Sequence, residues 1–196
     1  MKRRTYLQIG AAILFVGLLA WGVSRGLERL AGLQPESPGA ATDPAVPDAT
    51  VPRITATLYY GSADGQSLMA VRREVPLAEG LVPQGREIIR TQLQAAPSPF
   101  VSVVPEGTTL RAFYVTDRGD AFVDLSSDAS SRHPGGSSTE LLTVYAIVNA
   151  VTANLPTIQR VQILIDGREA DTLAGHVDLR RPLQQDLSLV REPKVE

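Results

Sequence analysis

The chain contains no cysteine, and this absence removes several kinds of chemistry at once. Disulfides, thiolate nucleophiles and cysteine-ligated metals are excluded. A lipoprotein is not expected either, because its lipid is carried by a cysteine. Histidine is scarce as well, with only His133 and His176, so a metal centre built from several histidines is also excluded.

The chain also lacks a large excess of charge of either sign. Its 196 residues include 19 Lys and Arg and 21 Asp and Glu, which leaves a formal net charge of −2. A nucleic-acid-binding protein would show a basic patch or a high isoelectric point, so we expect no nucleic-acid partner. Hydrophobic residues make up 43% of the chain, which is enough for the core of one domain of ordinary size.

The N-terminus, basic and then apolar, predicts a membrane anchor. A basic cluster at residues 2–4 precedes an apolar run from residue 9 to residue 23. That run would form a helix of roughly 23 Å, or about 27 Å if counted from residue 6, against a hydrocarbon core of about 30 Å. We predict a cytoplasmic tail at 1–5 and a signal anchor at 6–23. The anchor makes the protein single-pass in the cytoplasmic membrane, with everything C-terminal to it extracytoplasmic.

A cleaved signal peptide is the alternative interpretation of this segment. No A-x-A cleavage motif is present, and Gly22 and Ser24 are a weak substitute for one. The mature protein would then be an exported, soluble ligand-binding protein. A buried helix of a soluble protein fits less well, because the run has no polar face.

The composition of residues 24–53 predicts an extended linker outside the membrane. From Gln34 onward the segment shows no hydrophobic period and carries Pro35, Pro38, Pro44, Pro47 and Pro52. Such a spacer reaches at most roughly 60 Å at about 3.1 Å per residue, unless it is simply a tolerated disordered segment. We predict one folded domain at 54–183, followed by a C-terminal tail at 184–196.

The sequence pattern of the first half of the domain predicts a hairpin followed by a helix. Apolar and polar residues alternate over 54–60, and a second strand is predicted at 68–75. A glycine-containing turn at 61–65 joins them into a hairpin. A helix is predicted at 84–95, with Pro83 at its start and Pro97 beyond its end.

The second half repeats this order and then adds two strands. Strands are predicted at 110–115 and 121–125, around a turn with Gly119, and a long helix from Ser137 to about Leu155. A central strand at 161–165 and a short one at 175–179 follow. The fold class is therefore α/β of the α+β kind: one mixed β-sheet packed by two helices, in the order β-β-α-β-β-α-β-β, plus an N-terminal transmembrane helix.

Short motifs spread over 54–183 share their order and spacing with a known family. They are Leu58-Tyr59-Tyr60, Val104-Pro105-Glu106-Gly107-Thr108, the helix start from Gly136-Ser137 to Glu140 with Val148-Asn149 beyond it, Ile163-Leu164-Ile165-Asp166-Gly167, and Thr172-Leu173-Ala174-Gly175-His176-Val177-Asp178. Together they resemble the GerMN domain of sporulation and spore-germination proteins. The resemblance covers essentially all of the predicted domain.

The resemblance implies a non-catalytic interaction or assembly module outside the cytoplasmic membrane, and it does not imply a spore-forming host. Its partners would be envelope proteins or peptidoglycan, and an oligomer is possible. This chain departs from the common lipoprotein arrangement of the family because it has no cysteine to acylate. An envelope hydrolase or an exported ligand-binding protein remains the alternative function.

Two groups of residues have the composition of a catalytic or metal-binding site. His133 is close in sequence to Asp124, Asp128 and the serines Ser126, Ser127, Ser130 and Ser131, which permits a Ser-His-Asp interpretation; a polar surface loop explains the same residues. His176 and Asp178 would lie on one face of the strand at 175–179, and with Asp166 they could form a metal or acid–base site. Turn chemistry explains Asp166-Gly167 equally well.

The start of the long helix could bind an anion or could simply be capped. Gly136 and Ser137 offer free amides at a helix N-terminus, which suits phosphate or carboxylate. Ser137 and Glu140 also have the spacing of a capping box, in which Glu140 would occupy those amides. Arg72 and Arg73 in the second strand would blunt a sheet edge or belong to a partner surface.

No catalytic or metal-binding residue and no cofactor is predicted. The candidate binding residues are Arg73, Gly136, Ser137, Glu140, Asp166, Gly167, His176 and Asp178.

Overall fold

The computed structural model describes residues 51–191. The predicted cytoplasmic tail 1–5 and signal anchor 6–23 lie outside this range, as do most of the linker 24–53 and the last five residues of the chain. Within the described range, no helix combines the length and the apolar character needed to cross a membrane.

The first two strands form the antiparallel hairpin that the alternating pattern predicts. β1 (Arg53–Gly61) pairs along its whole length with β2 (Leu68–Pro76). Ala56, Leu58 and Tyr60 point to one face of β1 and are buried there. This burial follows from the two-residue repeat of a strand, which sends alternate side chains to the same face.

The first helix, α1 (Leu81–Gln92), starts and ends earlier than the predicted span of 84–95. Pro83 lies within its first turn, where the missing N–H costs nothing because those N–H groups have no acceptor inside the helix. At the other end the turn tightens before Pro97 is reached. The Gln94 N–H donates to the Thr91 carbonyl (3.2 Å), a three-residue spacing common at helix ends.

The second hairpin also matches its prediction. β3 (Leu110–Val115) pairs antiparallel with β4 (Asp120–Leu125). Gly119 closes the turn with a φ of 80°, and a Cβ at this position would lie only 2.7 Å from the Thr157 carbonyl oxygen. The turn therefore requires glycine both for its backbone conformation and for the close approach of the neighbouring loop.

Two helices follow β4, where one was predicted. A short helix, α2 (Asp128–Ser131), lies in the segment interpreted as a polar loop. The long helix, α3 (Ser137–Asn154), then runs close to its predicted length and contributes more buried residues than any other described element. Its fully buried apolar residues are Val144, Ala146, Ile147, Val148, Ala150 and Val151.

The strand after α3 is central, as predicted, but the strand at 175–179 is wrong. β5 (Arg160–Ile165) pairs parallel with β4, and Val161 and Ile163 are buried. Residues 175–179 are irregular, because their amides bond to groups other than a neighbouring strand. The His176 N–H donates to Glu140 of α3, the Gly175 N–H to the Thr172 hydroxyl and the Leu179 N–H to the Asp171 carbonyl. Short strands lie on either side of them: β6 (Arg168–Glu169), β7 (Leu183–Gln184) and β8 (Val190–Arg191).

The strands form two sheets, which corrects the predicted single mixed sheet. One sheet has the order β1-β2-β8, and the other has the order β3-β4-β5-β6 with β7 also paired to β5. Each is mixed, since β2-β8 and β4-β5 are parallel pairs. The sheets do not merge because helix side chains occupy the outer edge of β1: Asn154 bonds both backbone groups of Thr57, and Gln92 bonds both of Tyr59.

The helix–sheet contact at Gly85 gives a first testable prediction. A Cβ on Gly85 would lie 2.4 Å from the Phe113 ring, which is completely buried in β3. Gly85→Ala should therefore lower the free energy of unfolding by about 1–3 kcal/mol, although alanine favours helices. Chemical denaturation measures this change, with Arg86→Ala on the exposed side of α1 as the control. A Gly85→Ala protein as stable as the parent would contradict this packing.

Candidate functional site

Glu140 is the most heavily bonded of the candidate residues. It lies in the first turn of α3, with its side chain completely buried. Oε1 accepts the N–H groups of Leu173 (2.8 Å) and Ala174 (2.9 Å), and Oε2 accepts the His176 N–H (2.9 Å). The carboxylate therefore fills a concave site of successive backbone amides, like an anion held by a loop.

These amides decide the charge state of Glu140. Burial by itself would raise the pKa of the carboxyl group, but backbone N–H groups of Ala174, His176, Val177 and Leu173 outweigh it and lower the pKa. A carboxylate that accepts several backbone N–H bonds is held in its ionised form. Glu140 is therefore a buried, charged and fully bonded group.

The predicted capping box is not formed. The spacing of Ser137 and Glu140 suits it, but no side chain caps α3, whose N-cap is Gly136 with a φ of 88°. Glu140 instead turns away to residues 173–176. The amides at the start of α3 are thus not occupied by this carboxylate, and an anion site at Gly136 and Ser137 stays a prediction.

His176 and Asp178 do not form the paired site that a strand would have given them. His176 Nδ1 lies 3.2 Å from Oε2 of Glu140. Asp178 binds the Arg180 guanidinium through both of its oxygens (2.9 Å each), and this ion pair lowers the pKa of its carboxyl group. Among residues 51–191, no group of three or more His, Cys, Asp or Glu side chains is arranged to hold a metal ion.

His133 is a structural residue rather than the base of a catalytic triad. Its Nδ1 accepts the Gly135 N–H (3.0 Å), and its Nε2 lies 3.1 Å from the Thr143 hydroxyl. Burial lowers the pKa of His133. Since both ring nitrogens are engaged and neither bonds a serine or an aspartate, the Ser-His-Asp interpretation is wrong.

Asp166 and Gly167 form a turn that also ties three segments together. Their φ angles of 50° and 76° are both left-handed, as the Asp-Gly turn predicts. Asp166 accepts hydrogen bonds from Arg111 (2.9 Å) and from the Ser127 N–H (3.2 Å). The Gly167 N–H donates to the buried Asp124 (2.7 Å). This polar cluster fixes the ends of β4 and β5.

Arg73 lies on the inner face of the first sheet. Its guanidinium donates to the Tyr60 hydroxyl (2.8 Å) and to the Ala95 carbonyl (3.3 Å), and it stacks 5.9 Å from the centre of the Tyr60 ring. Its neighbours Arg72 and Glu74 are exposed on the opposite face. Of the two arginines predicted to lie at a sheet edge or a partner surface, Arg72 is therefore the exposed one, and that role stays a prediction.

The edge of β2 beyond residue 70 has no paired strand within residues 51–191. The backbone N–H groups of Thr57 and Tyr59 bond to side chains of the helices, so they point away from β2. Arg72 and Ala70 lie directly opposite them in β2. In an antiparallel pair such residues have their backbone groups turned away from the neighbouring strand, so those of Arg72 and Ala70 point away from β1. The same alternation turns Glu74 outward. In the described part of the chain, β8 pairs only with Leu68 and Met69, so the edge from 72 to 76 has no neighbouring strand.

Comparison with protein families gives one match over most of the domain. The family described as sporulation and spore germination, Germane, matches residues 57–171, which is more than half of the 196 residues. No curated protein matches the chain.

Solved structures with the same fold come from two bacteria. A Clostridium perfringens protein provisionally named a lipoprotein is 24% identical, over 69% of this chain and 89% of its own, with a TM-score of 0.50. The first GerMN domain of the sporulation protein GerM from Bacillus subtilis is 19% identical, over 68% and 96%, with a TM-score of 0.50. The tandem GerMN domains of GerM give 20% over 69% and 46%, with a TM-score of 0.51. The fold thus corresponds to one GerMN domain.

Replacing the buried carboxylate tests its structural role. Glu140→Gln removes the charge and turns an NH₂ group toward backbone donors, so it should lower the free energy of unfolding by about 2–4 kcal/mol at neutral pH. Hydrogen exchange in residues 171–180 should become faster. The exposed carboxylate of Asp178 provides the matched control, and Asp178→Asn should leave the stability close to that of the parent.

The pH dependence of this difference follows from the lowered pKa of Glu140. A group whose pKa is lower in the folded state stabilises the fold above its unfolded pKa and loses that effect as the pH falls through the folded value. The gap between parent and Glu140→Gln should therefore shrink in acid. A gap that stays constant from neutral to strongly acidic pH would contradict the charged state.

Proposed function

Because the chain belongs to the Germane family of sporulation and spore-germination domains, we propose that its folded part is a non-catalytic interaction module of the bacterial cell envelope. The observation that carries this proposal is which polar groups of the domain are bonded internally and which are not. Glu140 and both histidines are bonded internally, whereas one edge of the first sheet offers backbone donors and acceptors to a partner. Such an edge binds proteins by adding a strand.

We further propose that the domain is exported and tethered to the cytoplasmic membrane. The basic cluster at 2–4 and the apolar run at 9–23 support an N-terminal anchor, and the proline-rich segment after it supports a spacer. The Clostridium perfringens neighbour carries a lipoprotein name. This chain has no cysteine for a lipid, so the apolar helix would serve as its anchor. Envelope proteins or peptidoglycan are the proposed partners.

Cross-linking of the full-length chain in its native membrane tests the module and its surface. Because the chain has no cysteine, one introduced cysteine defines a unique attachment point for a photoactivatable cross-linker. Arg72→Cys on the open edge should capture defined envelope proteins or wall fragments. Arg86→Cys, on the exposed side of α1, is the control and should capture much less. Mass spectrometry identifies the adducts.

Two results would contradict this function. One is a processed, soluble protein that gives no adduct from either position. The other is a cell-wall hydrolase activity that His133→Ala or His176→Ala abolishes while the circular dichroism spectrum and melting temperature stay those of the parent. The first would favour an exported ligand-binding protein, and the second would favour an enzyme.

A further inference from the structure

We propose that the open edge of β2 pairs with the same edge of a second copy of this chain. The two β2 strands would run antiparallel about a two-fold axis at Arg73 and join two three-stranded sheets into one. This inference rests on the proposed function as an interaction module, and it names the partner.

Among residues 51–191, no strand covers this edge over a length that suits strand addition. β8 pairs parallel with Leu68 and Met69 only. Pro193, two residues beyond the end of β8, has no N–H and cannot supply a further donor to a parallel ladder. Ala70, Arg72 and Glu74 are all exposed. The outward-facing Glu74 carbonyl accepts only a long hydrogen bond from the Arg53 guanidinium (3.5 Å). Once a partner's N–H replaces that bond, the backbone groups of Arg72 and Glu74 would give four hydrogen bonds between two antiparallel copies.

The charges along the edge select one register. With the axis at Arg73, each Arg72 lies opposite the partner's Glu74, so that two pairs of opposite charge form. Shifting the register by one step of the ladder in either direction places Arg72 opposite Arg72, or Glu74 opposite Glu74. Opposite charges directly across two strands are stabilising and like charges are destabilising, so the edge is complementary to itself in this register alone.

The unpaired state of these charges in the monomer supports the same conclusion. Within residues 51–191, neither Arg72 nor Glu74 forms an ion pair; the Glu74 carboxylate accepts only the Thr55 hydroxyl (2.9 Å). A surface that matches itself is what a two-fold symmetric dimer requires.

The inner face of the joined sheet is compatible with the same register. Val71 would lie opposite the partner's Val75, a pair of β-branched residues that packs well across strands. Arg73 would lie opposite the partner's Arg73 on the axis. Repulsion there is limited because each guanidinium turns back to the Tyr60 hydroxyl (2.8 Å) and the Ala95 carbonyl (3.3 Å) of its own domain.

The dimer should be weak in solution and stronger on a membrane. One pair of strands buries far less than the roughly 1,600 Å² of a standard protein interface. Anchoring both copies to one membrane raises their effective concentration and favours the pair without any new contact.

Charge reversal and charge exchange test the register directly. The full-length chain is studied in detergent micelles by sedimentation and in lipid vesicles by energy transfer between labelled copies. Arg72→Glu and Glu74→Arg each create two like-charge pairs and should weaken the dimer by about ten-fold. The double variant Arg72→Glu/Glu74→Arg restores two opposite-charge pairs and should recover the parent's dimerisation. Arg86→Glu makes the same charge change off the edge and should have no effect.

A covalent test gives a second, independent readout. Residue 73 is the only position that faces itself across the axis, in a pair without hydrogen bonds, where Cα atoms lie about 4.5 Å apart. Arg73→Cys should therefore form a disulfide-linked dimer under mild oxidation in vesicles, and Arg86→Cys should not.

Two outcomes would overturn the pairing: a parent chain that is monomeric in both micelles and vesicles, or a double variant no better than the single ones. If Arg72→Cys still captures other envelope proteins in the native membrane, the proposed function stands and only the second copy as partner is lost. If neither self-association nor capture is seen, both fail.

Discussion

One buried carboxylate fixes the path that leads the chain from β6 to β7 and β8. Glu140 projects from the first turn of α3 and binds the backbone of residues 173–176, so that a segment with no regular structure has a fixed path. That path brings the Leu179 carbonyl to the side chain of the buried Gln162 in β5. The chain then returns to pair with β5 through β7 and with β2 through β8. Both sheets are therefore completed by a segment that α3 holds through Glu140 and, further along, through Asn149, which bonds both backbone groups of Asp186.

Side-chain amides set the limits of the first sheet in the same way. Asn154 and Gln92 each bond an N–H and a carbonyl of β1, with distances from 2.6 to 2.9 Å, and so take the place of a neighbouring strand. This closes one edge of the sheet and leaves the edge of β2 open. Unpaired edges promote association unless they are blunted. In the pairing that we propose, the alternating charges of Arg72 and Glu74 would favour a strand with the complementary order of charges.

Local sequence patterns predicted most of the helices and strands. The errors arose where a side chain bonds to a segment that is distant in the sequence. Alternation over β1 and the glycines of the hairpin turns act within a few residues, so both hairpins, the long helix and the central strand were predictable from the sequence. The capping box failed because Glu140 has the correct spacing for two roles, and only the tertiary fold offers it the amides of residues 173–176. The strand at 175–179 failed for the same reason. The two sheets were missed because Asn154 and Gln92 give no signal in the sequence that they replace a strand.

Of the predicted binding residues, Glu140, Asp166 and Gly167 form hydrogen bonds that hold the fold, and a binding role for them stays a prediction. The sequence indicated the open edge only through the arginine pair at 72 and 73. Which of these two arginines faces outward depends on the register of β2 with β1. We propose that this edge, and not a polar cluster, is the surface that binds a partner. Hydrogen exchange of residues 70–76 in the full-length chain, compared between native membranes and dilute detergent, tests it most directly. The account predicts that the amides of Arg72 and Glu74 are protected in the membrane and exchange freely in detergent; equally fast exchange in both would contradict it.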